Sequence, residues 1–223
     1  MSPSTRHRSH PRLSLRSAPC PDDDDPPTAG ISCLEGFRGG RHLVPGEALR
    51  RALSPSAAGV VVVTAGATPL GVTVSSFTSV SLEPPLVSFC LGVRSRTAAR
   101  LLLADVFAVN VLAEDQIGLA RRFAASDVDR FAPSADRFGP PTDWRAGPHG
   151  VPLLAGTAAR LVCEQHDLVS AGDHVIVLGQ VLHAEGDDVA RPLLHHRGRF
   201  TAVRVEAGRD EAGRDAGAAR PAL

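Results

Sequence analysis

Residues Gly71–Val87 read GVTVSSFTSVSLEPPLV, and the fold turns on how this stretch divides. Apolar and small residues alternate from Leu70 to Val74, hydroxyl side chains crowd the middle, and Leu86 to Leu91 turns apolar again. Alternation with a period of two marks a half-buried strand, so strands are predicted on both sides of the hydroxyl segment. Just upstream, Gly59–Ala65 (GVVVVTA) is a β-branched run too short for a helix, and Gly66 supplies a turn. Together these predict a hairpin from Gly59 to Val74.

Further strands are predicted at Val80–Leu82, Val106–Leu112, Ala158–Cys163, His174–His183 and Phe200–Val205. Apolar residues at three- and four-residue spacing predict helices at Thr97–Leu103 and Gln116–Ala124. A short helix opens at Pro45-Gly46-Glu47 and stops at Ser54-Pro55. Many strands, few helices and no β-α-β alternation predict a mainly β fold, a barrel with helices flanking its ends.

Residues 1–42 are Pro, Ser, Arg, Asp and Gly with hardly any paired apolar side chains, and 207–223 are small and charged. Such composition buries too little to offset ordering entropy, so both are expected to be disordered around one domain at 43–206. The 24 basic residues, all Arg, balance 24 acidic ones, so no global field gathers nucleic acid or an anionic membrane. No run approaches the roughly 20 apolar residues of a membrane span. Cys20, Cys33, Cys90 and Cys163 form no C-x-x-C pair, which predicts neither a zinc site nor a disulfide scaffold and fits a reducing cytoplasm. The Gly-rich and nucleophile motifs of dinucleotide folds, P-loop enzymes and α/β-hydrolases are missing.

Small side chains at Thr73–Ser76 would let a ligand reach backbone N–H groups, which suits a flat, polar-rimmed heterocycle; on these residues alone a solvent-facing Ser/Thr strand is the better reading. Ser95-Arg96-Thr97 precedes a predicted helix, a place for phosphate or for an ordinary cap. Asn110 inside the apolar FAVNVL needs a partner, from a ligand edge or from neighbouring backbone. His174 opens a strand, where a lone histidine is usually structural or exposed. His195-His196 reads as a solvated turn, Trp144 as loop packing, and Cys90 and Cys163 as apolar filler.

The ordered run G-x-T-x-S-S-F-x-S-V-S-L-x-P-P-L-V resembles the flavin reductase family of FMN- or FAD-dependent split barrels, the small components of two-component monooxygenases. The resemblance continues through Ser95-Arg96-Thr97, Phe107–Leu112, Phe123-Ala124, Asp129-Arg130-Phe131, Gly172-Asp173-His174, Gly179-Gln180-Val181 and Pro192-Leu193-Leu194 to Gly198-Arg199-Phe200. It implies a six-stranded antiparallel split barrel, a homodimer, and reduction of FMN or FAD by NADH or NADPH for a separate monooxygenase. The same barrel also hosts enzymes that retain FMN and act on another substrate. By position, Thr73, Val74, Ser75, Ser76 and Phe77 would line the isoalloxazine, Ser95, Arg96 and Thr97 would hold phosphate, and Asn110 would meet a flavin edge. His174 would sit close to flavin and nicotinamide as the catalytic group, with no metal. Phe200 stands where the family often has Tyr, keeping the ring and losing the hydroxyl.

Overall fold

The computed structural model describes residues 43–66, 68–126, 129–131 and 142–203. The expected leader and tail lie outside them. In chain order the elements are α1 (Gly46–Leu53), β1 (Ala58–Gly59), β2 (Val61–Ala65), β3 (Leu70–Val74), β4 (Thr78–Leu82), β5 (Pro85–Gly92), α2 (Arg96–Leu101) and β6 (Val106–Val111). There follow α3 (Ile117–Ala124), β7 (Trp144–Ala146), β8 (Pro152–Leu154), β9 (Ala159–Ala171), β10 (His174–Gly186), β11 (Leu193–His196) and β12 (Arg199–Ala202). The fold is mainly β, with antiparallel pairing in every ladder of its main sheet.

The main sheet has seven strands in the order β3-β2-β6-β9-β10-β5-β4. Strand β2 shows why it must curl. Its β-branched run is buried on both faces, so alternate side chains feed two different cores. Val61, Val63 and Ala65 join Phe89, Phe107 and Val177 on one side. Val62, together with Val60 just before the strand, joins Leu112, Phe123, Leu154 and Leu193 on the other. Phe89 and Phe107 meet edge to face at 5.3 Å between centroids, across the inside of the curled sheet. Cys163 lies in this core, where burial pushes its thiol up to about 12, so it is an unreactive filler at physiological pH.

Helix α3 is locked onto β3 by one missing side chain. A Cβ on Gly71 would come within 2.4 Å of the Phe123 ring, so only glycine lets the helix approach this closely. Two residues on, the Thr73 hydroxyl donates to the Ala120 carbonyl at 2.8 Å and fixes the helix along the strand.

Several expectations change. The strand expected at 158–163 runs on to Ala171 through exposed, polar residues without alternation. Its structure comes instead from an unbroken partner, since β10 pairs with it from Ala171↔His174 to Ala159↔Gly186. His195 and His196 lie in β11, not in a turn; the turn is Arg197-Gly198, both left-handed at φ 50° and 74°. The strands β7 and β8 were not anticipated, and Trp144 on β7 packs edge-on against Phe131 at 5.7 Å. Seven strands, not six, form the main sheet, and among the described residues no ladder joins its edge strands β3 and β4.

Gly71→Ala is expected to lower the unfolding free energy by about 1–3 kcal/mol through overpacking against Phe123, read from the midpoint of denaturant unfolding. An unchanged midpoint would show that α3 can step back freely.

Candidate functional site

The curl brings β3 against β5 without pairing them. Residue pairing on β3 stops at Val74↔Val61, and pairing on β4 starts at Thr78↔Ser88, so Ser75–Phe77 lies outside both ladders. A side chain replaces the missing ladder: Ser76 Oγ accepts from the Cys90 N–H at 2.8 Å and donates more weakly toward the Cys90 carbonyl at 3.5 Å. Along this seam runs a groove of about 310 Å³, lined by Val72–Ser76, Cys90–Gly92, Ser95, Ala98 and His174.

The hydroxyls of this groove are mostly spent on scaffold. Thr73 holds α3, Ser76 holds β5, and Ser95 caps α2 by accepting from the Ala98 N–H at 3.2 Å. Ser75 is exposed, and its hydroxyl has no hydrogen-bond partner among the described residues. Donors left for a ligand are therefore Ser75 Oγ and the backbone N–H groups of the loop, which small side chains leave uncovered.

His174 closes the far side. It stands opposite Gly92 in the β5–β10 ladder, and its Nε2 lies 3.7 Å from where a Gly92 Cβ would be, so the ring has room over the strand. Its Nδ1 meets the Asp173 carboxylate at 2.7 Å. An ionised carboxylate only accepts, so Nδ1 carries the hydrogen and Nε2 is the atom left for the groove. The hydrogen bond from His174, then its charge and that of Arg94, hold the Asp173 carboxyl below the usual range. The carboxylate is thus ionised at neutral pH and keeps the imidazole in one orientation.

The sequence expectations divide cleanly on this geometry. Thr73, Val74, Ser75, Ser76, Ser95 and His174 share one groove. Phe77 packs against the first core, and Arg96 and Thr97 sit on the first turn of α2 beside the groove without lining it. Phe200 packs against the second core, with the Arg121 guanidinium 5.9 Å from its ring centroid, and borders a separate open cleft of about 480 Å³.

Asn110 is corrected. It is fully buried, its amide donates to the Val62 carbonyl at 3.1 Å and to Thr64 Oγ1 at 3.0 Å, and its carbonyl accepts from the Leu154 N–H at 2.9 Å. Backbone is its partner, and its task is to pin β8 to the sheet.

Cys90, read from sequence as apolar filler, and Gly92, not singled out there, both line the groove. Period-two alternation along β5 could have found them, since Phe89 and Leu91 belong to the core and residues between them face away.

The chain matches the family model described as "Flavin reductase like domain" over residues 53–204. It is 36% identical over 156 residues to the reductase subunit of a flavin-dependent monooxygenase from Rhodococcus jostii, covering 69% of this chain and 76% of that protein. It is 39% identical over 137 residues to a stachydrine N-demethylase reductase subunit from Rhizobium meliloti, covering 60% of this chain. The chain spans only 56% of the length of that relative, and 42% of a second relative from the same organism. Among solved structures, the Streptomyces globisporus NADH:FAD oxidoreductase, in complex with NAD and FAD fragments, superposes with a TM-score of 0.66 at 39% identity, covering 76% of this chain and 100% of that one.

Asn110→Ala is expected to cost about 1–3 kcal/mol of unfolding free energy by orphaning buried backbone groups, measured by urea titration. A change within error would mean that these amide bonds carry no weight.

Proposed function

The chain belongs to the flavin reductase like domain family, and from that membership we propose that it reduces FMN or FAD with NADH or NADPH and hands the reduced flavin to a separate monooxygenase. The observation that carries the reading is the single groove joining the Ser75 loop to His174 and to the start of α2. A flat ring suits this groove because Val72, Val74 and Leu91 give it apolar walls among the small side chains of Ser76, Gly92 and Ala98, and because Ser75 offers an uncommitted hydroxyl. Flavin, when bound, supplies a ring that takes up hydride at N5 from nicotinamide C4, so the protein needs to position two ready-made molecules and supplies no nucleophile.

Each protein group then has a task. The loop N–H groups of Ser75–Phe77 would hold the polar edge of a bound ring, where reduction accumulates negative charge; prearranged dipoles stabilise such charge without reorganising. His174 presents Nε2 to the ring and to the incoming nicotinamide, held in one orientation by Asp173. Ser95, Arg96 and Thr97 stand where the phosphate leaves the groove. Phe200 lies away from this groove and enters only if a second copy brings its own hairpin near.

A second copy is part of the reading. Strand β4, at the edge of the main sheet, exposes Val80 at 51% and Leu82 at 68%, the kind of surface that proteins cover. The reductase unit is taken as 43–206, closing into the six-stranded split barrel of the family when β3 and β4 are counted as one broken strand around Ser75–Phe77. Two unpaired cysteines among the described residues accord with a cytoplasmic setting, and no described helix is long and apolar enough to cross a membrane.

With FMN or FAD added, the purified chain is expected to oxidise NADH or NADPH, read as loss of nicotinamide absorbance with each flavin in turn. His174→Ala should lower kcat/KM for the nicotinamide by about a hundredfold. Asp173→Asn should lower it by less than about tenfold, because the pair is exposed. No flavin-dependent oxidation by the wild type would overturn the reading.

A further inference from the structure

Against the first turn of α2 stands an arginine with no counter-ion among the described residues. Arg130 donates from Nη1 to Thr97 Oγ1 at 2.8 Å and from Nη2 to the Ala125 carbonyl at 2.5 Å, so it ties the first turn of α2 to the end of α3. Both acceptors are neutral. Among the described residues no carboxylate pairs with it, its Nε is shielded from solvent without a hydrogen-bond partner, and the remaining N–H donors are uncommitted. Thr97, which it grips, lies between Ser95 and Ala98, two residues that line the groove.

Three other arginines of the fold are matched to carboxylates. Arg160 is matched to Glu185 at 2.7 Å and Arg191 to Glu114, while Arg145 also reaches Glu185 at 3.3 Å. Taking a guanidinium partly out of water is unfavourable unless charge or hydrogen bonds compensate it. Burial accordingly lowers the Arg130 pKa from its usual value. A planar fork held by two neutral acceptors, partly desolvated and with no carboxylate paired to it among the described residues, is prearranged for an oxyanion, and phosphate is the anion whose geometry it matches.

We propose that Arg130 binds the phosphate next to the ribityl chain of the flavin, and that this contact makes the enzyme select FMN and FAD over riboflavin. The inference rests on the flavin-reductase reading and deepens it. With the ring between Ser75 and His174, the ribityl chain leaves past Ser95 toward Thr97, and the phosphate arrives at the guanidinium. Arg130 is a binding residue and takes no part in hydride transfer.

The test compares FMN with riboflavin, which share a ring and differ in phosphate. In the full chain, Arg130→Gln is expected to weaken FMN binding, titrated by quenching of flavin fluorescence, by about tenfold to a hundredfold, the range of a charge-assisted hydrogen bond. Riboflavin binding should change by less than about twofold, and kcat at saturating FMN should hold, because a contact made equally before and during reaction alters KM alone. Arg130→Lys should fall between the two. In the wild type, inorganic phosphate should compete with FMN and leave riboflavin affinity unchanged, a readout that stands even if the glutamine variant does not fold. Equal weakening of both flavins in Arg130→Gln would make the residue a brace between α2 and α3 and overturn the proposal. So would equal wild-type affinity for FMN and riboflavin, although flavin reduction itself would stand. A wild type that binds neither flavin would remove both readings.

Discussion

Everything in the site depends on a seam in the sheet that is closed by a side chain instead of a ladder. Strand β5 spends one edge on β10 up to Gly92↔His174, and on its other edge β4 stops pairing at Ser88↔Thr78. Cys90 is thereby left with backbone groups that need partners, and Ser76 supplies one hydroxyl to both. A full ladder here would have consumed the N–H groups of Ser75–Phe77. The hydroxyl satisfies the strand and leaves the loop backbone for a ligand, which is how one protein can hold a curled sheet and an open binding edge in the same place.

This division of labour recasts the hydroxyl-rich segment. Its composition reads as a row of ligand donors, yet Thr73 secures α3, Ser76 secures β5 and Ser95 caps α2. What remains for chemistry is backbone, Ser75 and an imidazole aimed by a carboxylate. On the proposed reading, recognition through backbone suits a substrate that must be bound, reduced and released, since the donors are fixed by the fold and not by mobile side chains. The two cores bear the mechanical load: Gly71 admits Phe123, and Asn110 pins β8.

Much of this could be read from the chain before any coordinates. A β-branched run located β2, alternation located β3, apolar segments located β5, β6 and β10, and three- and four-residue spacing located α2 and α3, because those elements bury one defined face or both. The outer half of β9 gave no such signal: its residues are exposed, and its strand form is imposed by pairing over thirteen residues with β10. The histidines of β11 were misread for a similar reason, since a two-residue turn at Arg197-Gly198 needs left-handed backbone that Arg does not advertise. Of the candidate site, the linear run Thr73–Ser76 and the ordered motifs led to the groove, with Ser95 and His174 joining it from distant parts of the chain. Asn110 could not be resolved from sequence, because a buried amide announces that it needs a partner and not which one. The Ser76–Cys90 contact and the hold of Arg130 on Thr97 became visible only in the packing, which sets β5 beside the Ser75 loop and the end of α3 beside α2.

Amide hydrogen exchange with and without FMN tests the central claim most directly, because the account assigns the binding edge to backbone groups outside both ladders. Saturating FMN should slow exchange at Ser75–Phe77 and around His174, while amides at His196–Thr201 stay as fast as in the free protein. Protection that appears at the β11–β12 hairpin instead, with Ser75–Phe77 exchanging unchanged, would contradict the account.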